Sequence, residues 1–420
     1  MAVLIEFSVK NFKSISEKVT FSAVASSSSA KNSKISFETG SAVAPNLLNT
    51  AVILGPNASG KSSIIEAFDF FLDFLGNSSV APLEKNLNFE QNVIADGYAD
   101  IDSEFELIFS DGDSIYQYGY SLNKTMVTKE WLYTRSHKSR SRERVLIERR
   151  RDPKAAKINE EILGQKEVWK KSTKKNALLF STAVQLNSKF LTKLGNWIGN
   201  NIYVQTSGAF GPSFTCNYIT SEKTYRRNEF NKFINRLDLH MEGFSVRELE
   251  MVLPDSTKRM FTEEALQEFF SDTMKHWKIA GRHKRADGEI VELDFEKESD
   301  GTKRLFFVAG PILDVLEGGY TLIVDELNSS LHPCALKGII EMFHDKEINK
   351  KNAQLVFTTH EVSIIDDDTF HKDQIWFVQR PDGLLTELTP LSDYEIRDLR
   401  TFKKSYLNGK FGAIPMTSSF

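Results

Sequence analysis

The chain has 420 residues, 40% of them hydrophobic and 26% charged, the balance of an ordinary soluble globular protein with a sizeable core. A net charge of -4 excludes a wholesale nucleic-acid coat but leaves room for a local basic patch. Two cysteines, Cys216 and Cys334, without CxxC spacing exclude a disulfide framework and a cysteine-based zinc site, and they suit a reducing cytoplasm.

At the N-terminus, "VLIEFSV" and "KVTFSAVA" (3–9 and 18–25) predict two strands joined by a short polar turn. Glu6 and Lys10 interrupt any apolar segment, so this end does not read as a signal peptide. "SSSSAKNSK" reads as a surface loop. "TAVILGPNASGKSSIIEAFDFFLDFLG" predicts a buried strand, a glycine loop and an apolar-striped helix. From 99 to 148 the pattern alternates, with breaks at Asp111-Gly112 and Asn123-Lys124, and predicts an antiparallel meander. Residues 135–175 are strongly basic, and Trp169 sits among lysines; this segment could meet nucleic acid, although a solvated hairpin face or a protein-docking surface fits its mixed Arg, Lys, Ser and Glu better. Residues 177–280 read as mostly helical, "EALQEFFSDTMKHW" being the clearest amphipathic segment. Strands return at "EIVELDF", "TLIVDEL", "AQLVFTTH" and "QIWFVQR", with helices over 303–316 and after Pro333. The expected class is α/β, divided into 1–190, a helical insertion and assembly region at 191–280, and 281–420. No apolar run is long enough to span a bilayer, so a cytoplasmic protein without a membrane partner is expected.

"GPNASGKS", Gly55 to Ser62, matches G-x-x-x-x-G-K-[ST] between the predicted strand and helix. Its glycines allow the backbone to wrap an anion with successive N–H groups, and the helix adds its positive end. Lys61 reaches β- and γ-phosphates, and the Ser62 hydroxyl ligates Mg²⁺. At "TLIVDEL" two carboxylates, Asp325 and Glu326, close an apolar strand, a costly placement unless a nucleotide-bound Mg²⁺ lies beyond it. Asp325 then holds the metal and Glu326 polarises the attacking water. "LVFTTH" ends on His360, positioned to sense a γ-phosphate. "ESDGTKRLF" puts Ser299 and Gly301 ahead of a helix, a second anion-binding device; one chain needs only one per nucleotide, so the second points to the nucleotide of another subunit. Asp366 to Asp368 read as a loop cap rather than a nuclease metal site.

"GPNASGKS", "ESDGTKRL", "VDELNSSLHP" and "TTH" resemble the Walker A, signature, Walker B/D-loop and H-loop of ABC-type ATPases, in the SMC/RecF-like branch. "NASGKSSIIEAF", "KEWLY", "ESDGTKRLFFVAGPIL", "DELNSSLHP" and "YLNGKFGAIP" resemble the RloA/AbiL-type AAA ATPases of bacterial anti-phage and abortive-infection systems. The resemblance covers most of the chain and is least from about 190 to 280. It implies an ABC-type P-loop NTPase head with an antiparallel β subdomain and a helical insertion. Gly55, Asn57, Gly60, Lys61, Ser62 and Ser63 would hold ATP; Ser62 and Asp325 would hold Mg²⁺; Glu326 and His360 would be catalytic. Ser299, Gly301 and Thr302 would act in trans on the partner's γ-phosphate, with Ser330 across the seam. His332 stands where transporter ATPases carry aspartate, Thr302 replaces the signature's second glycine, and Gln91 is the candidate for the Q-loop.

The resemblance further implies a head-to-tail homodimer, or a higher homo-oligomer, with two ATP molecules at the seam and slow hydrolysis. It implies a sensor or scaffold that controls a separate effector, a nuclease, in response to a phage-derived trigger. The alternative is a RecF/SMC-like DNA-repair ATPase that binds DNA directly.

Overall fold

The computed structural model describes residues 3–82, 87–95, 97–138, 142–206, 211–237, 241–249, 276–380, 385–395, 399, 402–409 and 411. Two compact units are formed: Met1–Gly208 with Val315–Asn328 and Ile339–Phe420, and Ala209–Asp314 with Ser329–Gly338. They cut the chain differently from 1–190, 191–280 and 281–420. The strand Ile202–Gln205 pairs in parallel with Thr321–Val324, which keeps the chain in the first unit beyond residue 190, and the second unit runs on through most of the helix Asp300–Gly318.

The first unit holds two large sheets. One has the strand order Ile202–Gln205, Thr321–Val324, Gln354–Thr359, Thr50–Leu54, Ile375–Gln379 and Glu387–Pro390, all parallel except the last. Its inner strands are buried throughout and mostly apolar because both faces are covered. The other is a seven-stranded antiparallel sheet that joins Val3–Lys10 and Val19–Ser22 to the meander Ser103–Ser110, Ser114–Leu122, Val127–Ser136 and Arg144–Arg150, ending on Lys157–Ile158. The meander turns where the sequence breaks: Asp111 Oδ1 accepts from the N–H groups of Asp113 and Ser114, and Asn123 Oδ1 from those of Thr125 and Met126.

The helix Lys61–Asn77 joins both sheets into one core. Ile64, Phe68, Phe71 and Leu75 recur at helical spacing and are buried. Phe68 stacks on Phe7 at 3.7 Å between ring centroids, and Phe71 on Tyr120 at 5.4 Å. Ala51, Ile53, Ile323 and Val356 of the parallel sheet share the same cluster. Burying one such aromatic ring contributes about 2–3 kcal/mol, so the loop before the helix starts from a fixed support.

The "KEWLY" segment contributes a buried ion pair. Glu130 and Arg149 have fully buried side chains 3.3 Å apart. Glu130 also accepts from the N–H groups of Leu179 and Phe180, at 2.7 and 2.9 Å, where the helix Leu179–Gln185 begins. Arg149 donates to the carbonyl of Ala177 at 2.6 Å. Trp169 is 2% exposed, so it is a core residue and offers no stacking face to nucleic acid. The serine-rich stretch is more than a loop: Ser29 begins a short 3₁₀ turn, is buried and donates to Asp373.

The second unit has the helices Pro212–Thr220 and Tyr225–Arg236, as the helical reading expects, and also a three-stranded antiparallel sheet, Gly243–Leu249, His276–Lys284 and Ile290–Asp294. The amphipathic segment read at 264–277 lies outside the described residues except His276 and Trp277, which open a strand. Pro311 lies inside the Asp300–Gly318 helix and leaves the Phe307 carbonyl without its helical donor; the hydroxyl of Thr215 donates to the carbonyls of Phe306 and Phe307 and so serves the acceptors one turn before the proline. Among the described residues no helix is long and apolar enough to cross a membrane.

Removing Glu130 leaves the Arg149 guanidinium buried without its countercharge and uncaps a helix. Glu130→Ala is expected to lower unfolding free energy by about 3 kcal/mol or more in urea denaturation. A change below about 1 kcal/mol would show that the pair is not a support of the fold.

Candidate functional site

Three neighbouring parallel strands end at one edge. In register, Leu54 lies beside Thr359, and Val324 beside Phe357. The groups just beyond these ends therefore meet outside the carboxyl edge of the sheet, where open α/β sheets place ligands. They line a cleft of about 400 Å³.

One wall is the loop 55–60. Ala58 and Gly60 have φ of 61° and 108°. A Cβ on Gly60 would come within 2.7 Å of Ser14 and Thr386, and one on Gly55 within 2.4 Å of the Val378 carbonyl, so both positions require glycine. Asn57, Gly60, Lys61, Ser62 and Ser63 line the cleft; Gly55 lies behind it. Lys61 is 5% exposed, and its ammonium donates to the carbonyls of Gly55 and Pro56 at 2.8 and 2.9 Å. Burial lowers its pKa to about 8, opposed by the fields of Asp325 and Glu326.

Asp325, next to the lining residue Glu326, is buried and its field reaches Lys61. It is 1% exposed; its Oδ1 accepts from the Thr358 hydroxyl at 2.6 Å, and its Oδ2 is buried with no hydrogen-bond partner among the described residues. A buried carboxylate oxygen without a partner is costly. Glu326 turns into the left-handed region, φ 50°, which carries its side chain into the cleft. There its Oε1 lies 3.2 Å from His360 Nε2.

The predicted residues thus separate into two groups. Asn57, Gly60, Lys61, Ser62, Ser63, Glu326 and His360 share the cleft, while Asp325 and Gly55 are buried and outside its lining. Ser299, Gly301, Thr302 and Ser330 belong to the second unit, where they form a cluster of their own. Ser299 Oγ accepts from Thr302 N–H at 3.1 Å, capping the helix, and lies 2.8 Å from Thr302 Oγ1. A Cβ on Gly301 would meet the Ser330 carbonyl at 3.0 Å. His332 caps the next helix, its Nδ1 accepting from Cys334 N–H.

Gln91 does not join the cleft. It is 4% exposed, and its amide donates to the Ile101 carbonyl at 2.8 Å, so it closes a loop. Asp366 accepts from Thr369 N–H and Asp367 from Leu399 N–H, as loop caps do. Among the described residues no cluster of three or more His, Cys, Asp or Glu side chains could hold a metal alone. Ser14, Thr358 and Thr386 are additions to the residues singled out by sequence. Thr386 donates to the Ser14 and Ser59 carbonyls and ties the phosphate loop to the N-terminal strand pair.

A family model described as "AAA domain, putative AbiEii toxin, Type IV TA system" matches residues 51–196 and 215–366, spanning the phosphate loop, the carboxylate pair and His360. The chain belongs to this AAA family. Among solved structures, the SMC head domain from Thermotoga maritima is similar at 15% identity, covering 94% of this chain and 99% of that one, with a TM-score of 0.42. The recombination mediator protein RecF with ATPrS is similar at 14% identity over 92% and 98% of the two chains, TM-score 0.32. The same mediator with ATP gives 14%, 93% and 97%, TM-score 0.31. Likenesses this distant decide nothing about the site. No curated protein matches. As an AAA member with a phosphate loop on a parallel sheet, the chain is a nucleotide-binding ATPase-type protein of α/β class.

Proposed function

We propose that the chain is an ATP-hydrolysing switch in which ATP with Mg²⁺ occupies the Lys61 cleft and two copies close around it. The observation that carries this reading is the buried Asp325 Oδ2, which has no hydrogen-bond partner among the described residues although it lies within the field of Lys61 and next to Glu326, both of which line the cleft with His360. The donors available there, a carboxylate oxygen and the Ser62 hydroxyl, are hard oxygens suited to Mg²⁺. When bound, the cation would neutralise phosphate charge; Ser62 and Asp325 are the residues that would hold it.

Lys61 leaves the Gly55 and Pro56 carbonyls for the phosphates, supplying a positive charge already desolvated and therefore strongly felt. Asn57, Gly60 and Ser63 line the polyphosphate path. Glu326 acts as general base toward water, and His360, in contact with it, reports whether a γ-phosphate is present. Ser299, Gly301 and Thr302, with Ser330 beside them, serve the partner copy's γ-phosphate. The helix cap they form supports this role, because it presents a hydroxyl and a helix N-terminus together. ATP then favours the closed pair and hydrolysis loosens it.

The toxin–antitoxin description of the family supports a place in defence. In this reading the switch governs a separate effector, a nuclease, and a phage-derived trigger sets its state. Direct nucleic-acid binding has less support, since Trp169 is in the core.

Lys61→Ala is expected to lose ATP binding in equilibrium titration, while unchanged affinity would refute the cleft assignment. In the wild type the ammonium form is the binding form, and it is depleted as pH rises through about 8. Wild-type affinity is therefore expected to fall above pH 8, by up to about tenfold per pH unit, and an affinity unchanged above pH 8 would contradict this role of the lysine. Glu326→Gln is expected to keep ATP binding, lose hydrolysis by about a hundredfold and double its solution mass with ATP in light scattering. Wild-type turnover, or a mass that ATP leaves unchanged, would contradict the switch.

A further inference from the structure

We infer that Thr358 is the positioning residue of the metal-binding carboxylate, an inference that rests on the ATPase reading of the same cleft. The strands Thr321–Val324 and Gln354–Thr359 run in parallel with Val324 beside Phe357, so Thr358 stands one step beyond the last paired residues and faces the turn after Val324. It is fully buried. Its hydroxyl donates its single proton to Asp325 Oδ1 at 2.6 Å and accepts the Glu326 N–H at 2.7 Å. Its carbonyl accepts the Leu327 N–H at 3.2 Å.

Thr358 thus touches three successive residues. The hydroxyl decides which Asp325 oxygen is engaged, and so leaves Oδ2, buried and without a partner among the described residues, as the oxygen for a cation. The same hydroxyl steadies Glu326 in its left-handed backbone, the conformation that turns its carboxylate toward His360. Thr359, the neighbour in sequence, cannot substitute: its hydroxyl accepts from Glu361 N–H instead. Thr358 meets no phosphate; it acts through Asp325 and Glu326. Without its hydroxyl, Asp325 is free to rotate and Glu326 loses its backbone anchor, so the metal-dependent part of nucleotide binding suffers while the lysine loop is untouched.

The test compares the full chain with Thr358→Val, which keeps the shape without the hydroxyl, and Thr358→Ser, which keeps the hydroxyl. Affinity for a non-hydrolysable ATP analogue is measured with Mg²⁺ and again with EDTA, after thermal melting has shown that each variant is folded. In the wild type Mg²⁺ is expected to tighten binding at least tenfold. Thr358→Val is expected to lose most of that enhancement while its affinity in EDTA stays within twofold of wild type, and Thr358→Ser is expected to restore the enhancement. Should Thr358→Val not fold, Thr358→Cys, whose thiol fills the site but bonds weakly, takes its place. A full Mg²⁺ enhancement in Thr358→Val, or a Thr358→Ser as defective as Thr358→Val, overturns the inference and leaves the ATPase reading intact. No binding by the wild type under either condition overturns both.

Discussion

A carboxylate with one oxygen satisfied and the other buried without a partner is an arrangement that a folded chain does not keep without compensation. Asp325 is in that state, at the end of a strand whose four residues are all buried. No hydrogen bond from the described residues completes it. The nearby ammonium of Lys61 offsets some of the charge, and the carboxylate in turn holds that lysine's pKa up against the effect of burial. On the proposed reading the group that completes Oδ2 is a cation. The cleft's other features agree with that demand: a lysine held over its own loop carbonyls, a serine at the helix start and a second carboxylate projecting outward. On the proposed reading each would serve a charged ligand that brings its own metal.

The fold makes this geometry rigid. The helix Lys61–Asn77 shares one core with aromatic residues of the antiparallel sheet and aliphatic residues of the parallel sheet. Its first turn, which carries Lys61, Ser62 and Ser63, is therefore fixed by a buried ring stack several residues further on. The loop before it is closed by contacts too tight for any side chain at Gly55 or Gly60, and Thr386 ties its back to the N-terminal strands. The antiparallel sheet is thus a support for the site, and its own ion pair, Glu130 with Arg149, locks a helix onto that support.

Much of the cleft was legible because its signals are local. A glycine loop between a buried strand and an apolar-striped helix has one structural outcome, and two acids closing an apolar strand raise a desolvation question with few answers. The meander was legible for the same reason, since its turns are written in Asp111-Gly112 and Asn123-Lys124. Thr358 was not legible. Its role depends on which strand lies next to Thr321–Val324 and in which register, and that pairing spans more than thirty residues of sequence. Gln91 misled for a complementary reason: a glutamine in a polar stretch shows nothing of the carbonyl it closes on. Trp169 sat among lysines in sequence, yet helical spacing turns it inward and the lysines outward. The strand Ile202–Gln205 was hidden in a helical stretch, being short and held by pairing with a distant partner.

The most direct measurement is a crystal structure with Mn²⁺ and a non-hydrolysable ATP analogue, the metal located by its anomalous scattering. The account predicts one metal site per chain, bound by the Ser62 hydroxyl and phosphate oxygens, with Asp325 Oδ2 turned to it directly or through one water and Lys61 moved from the Gly55 and Pro56 carbonyls onto phosphate. Anomalous density away from Asp325, or an Asp325 Oδ2 still without a partner in the loaded protein, would contradict it.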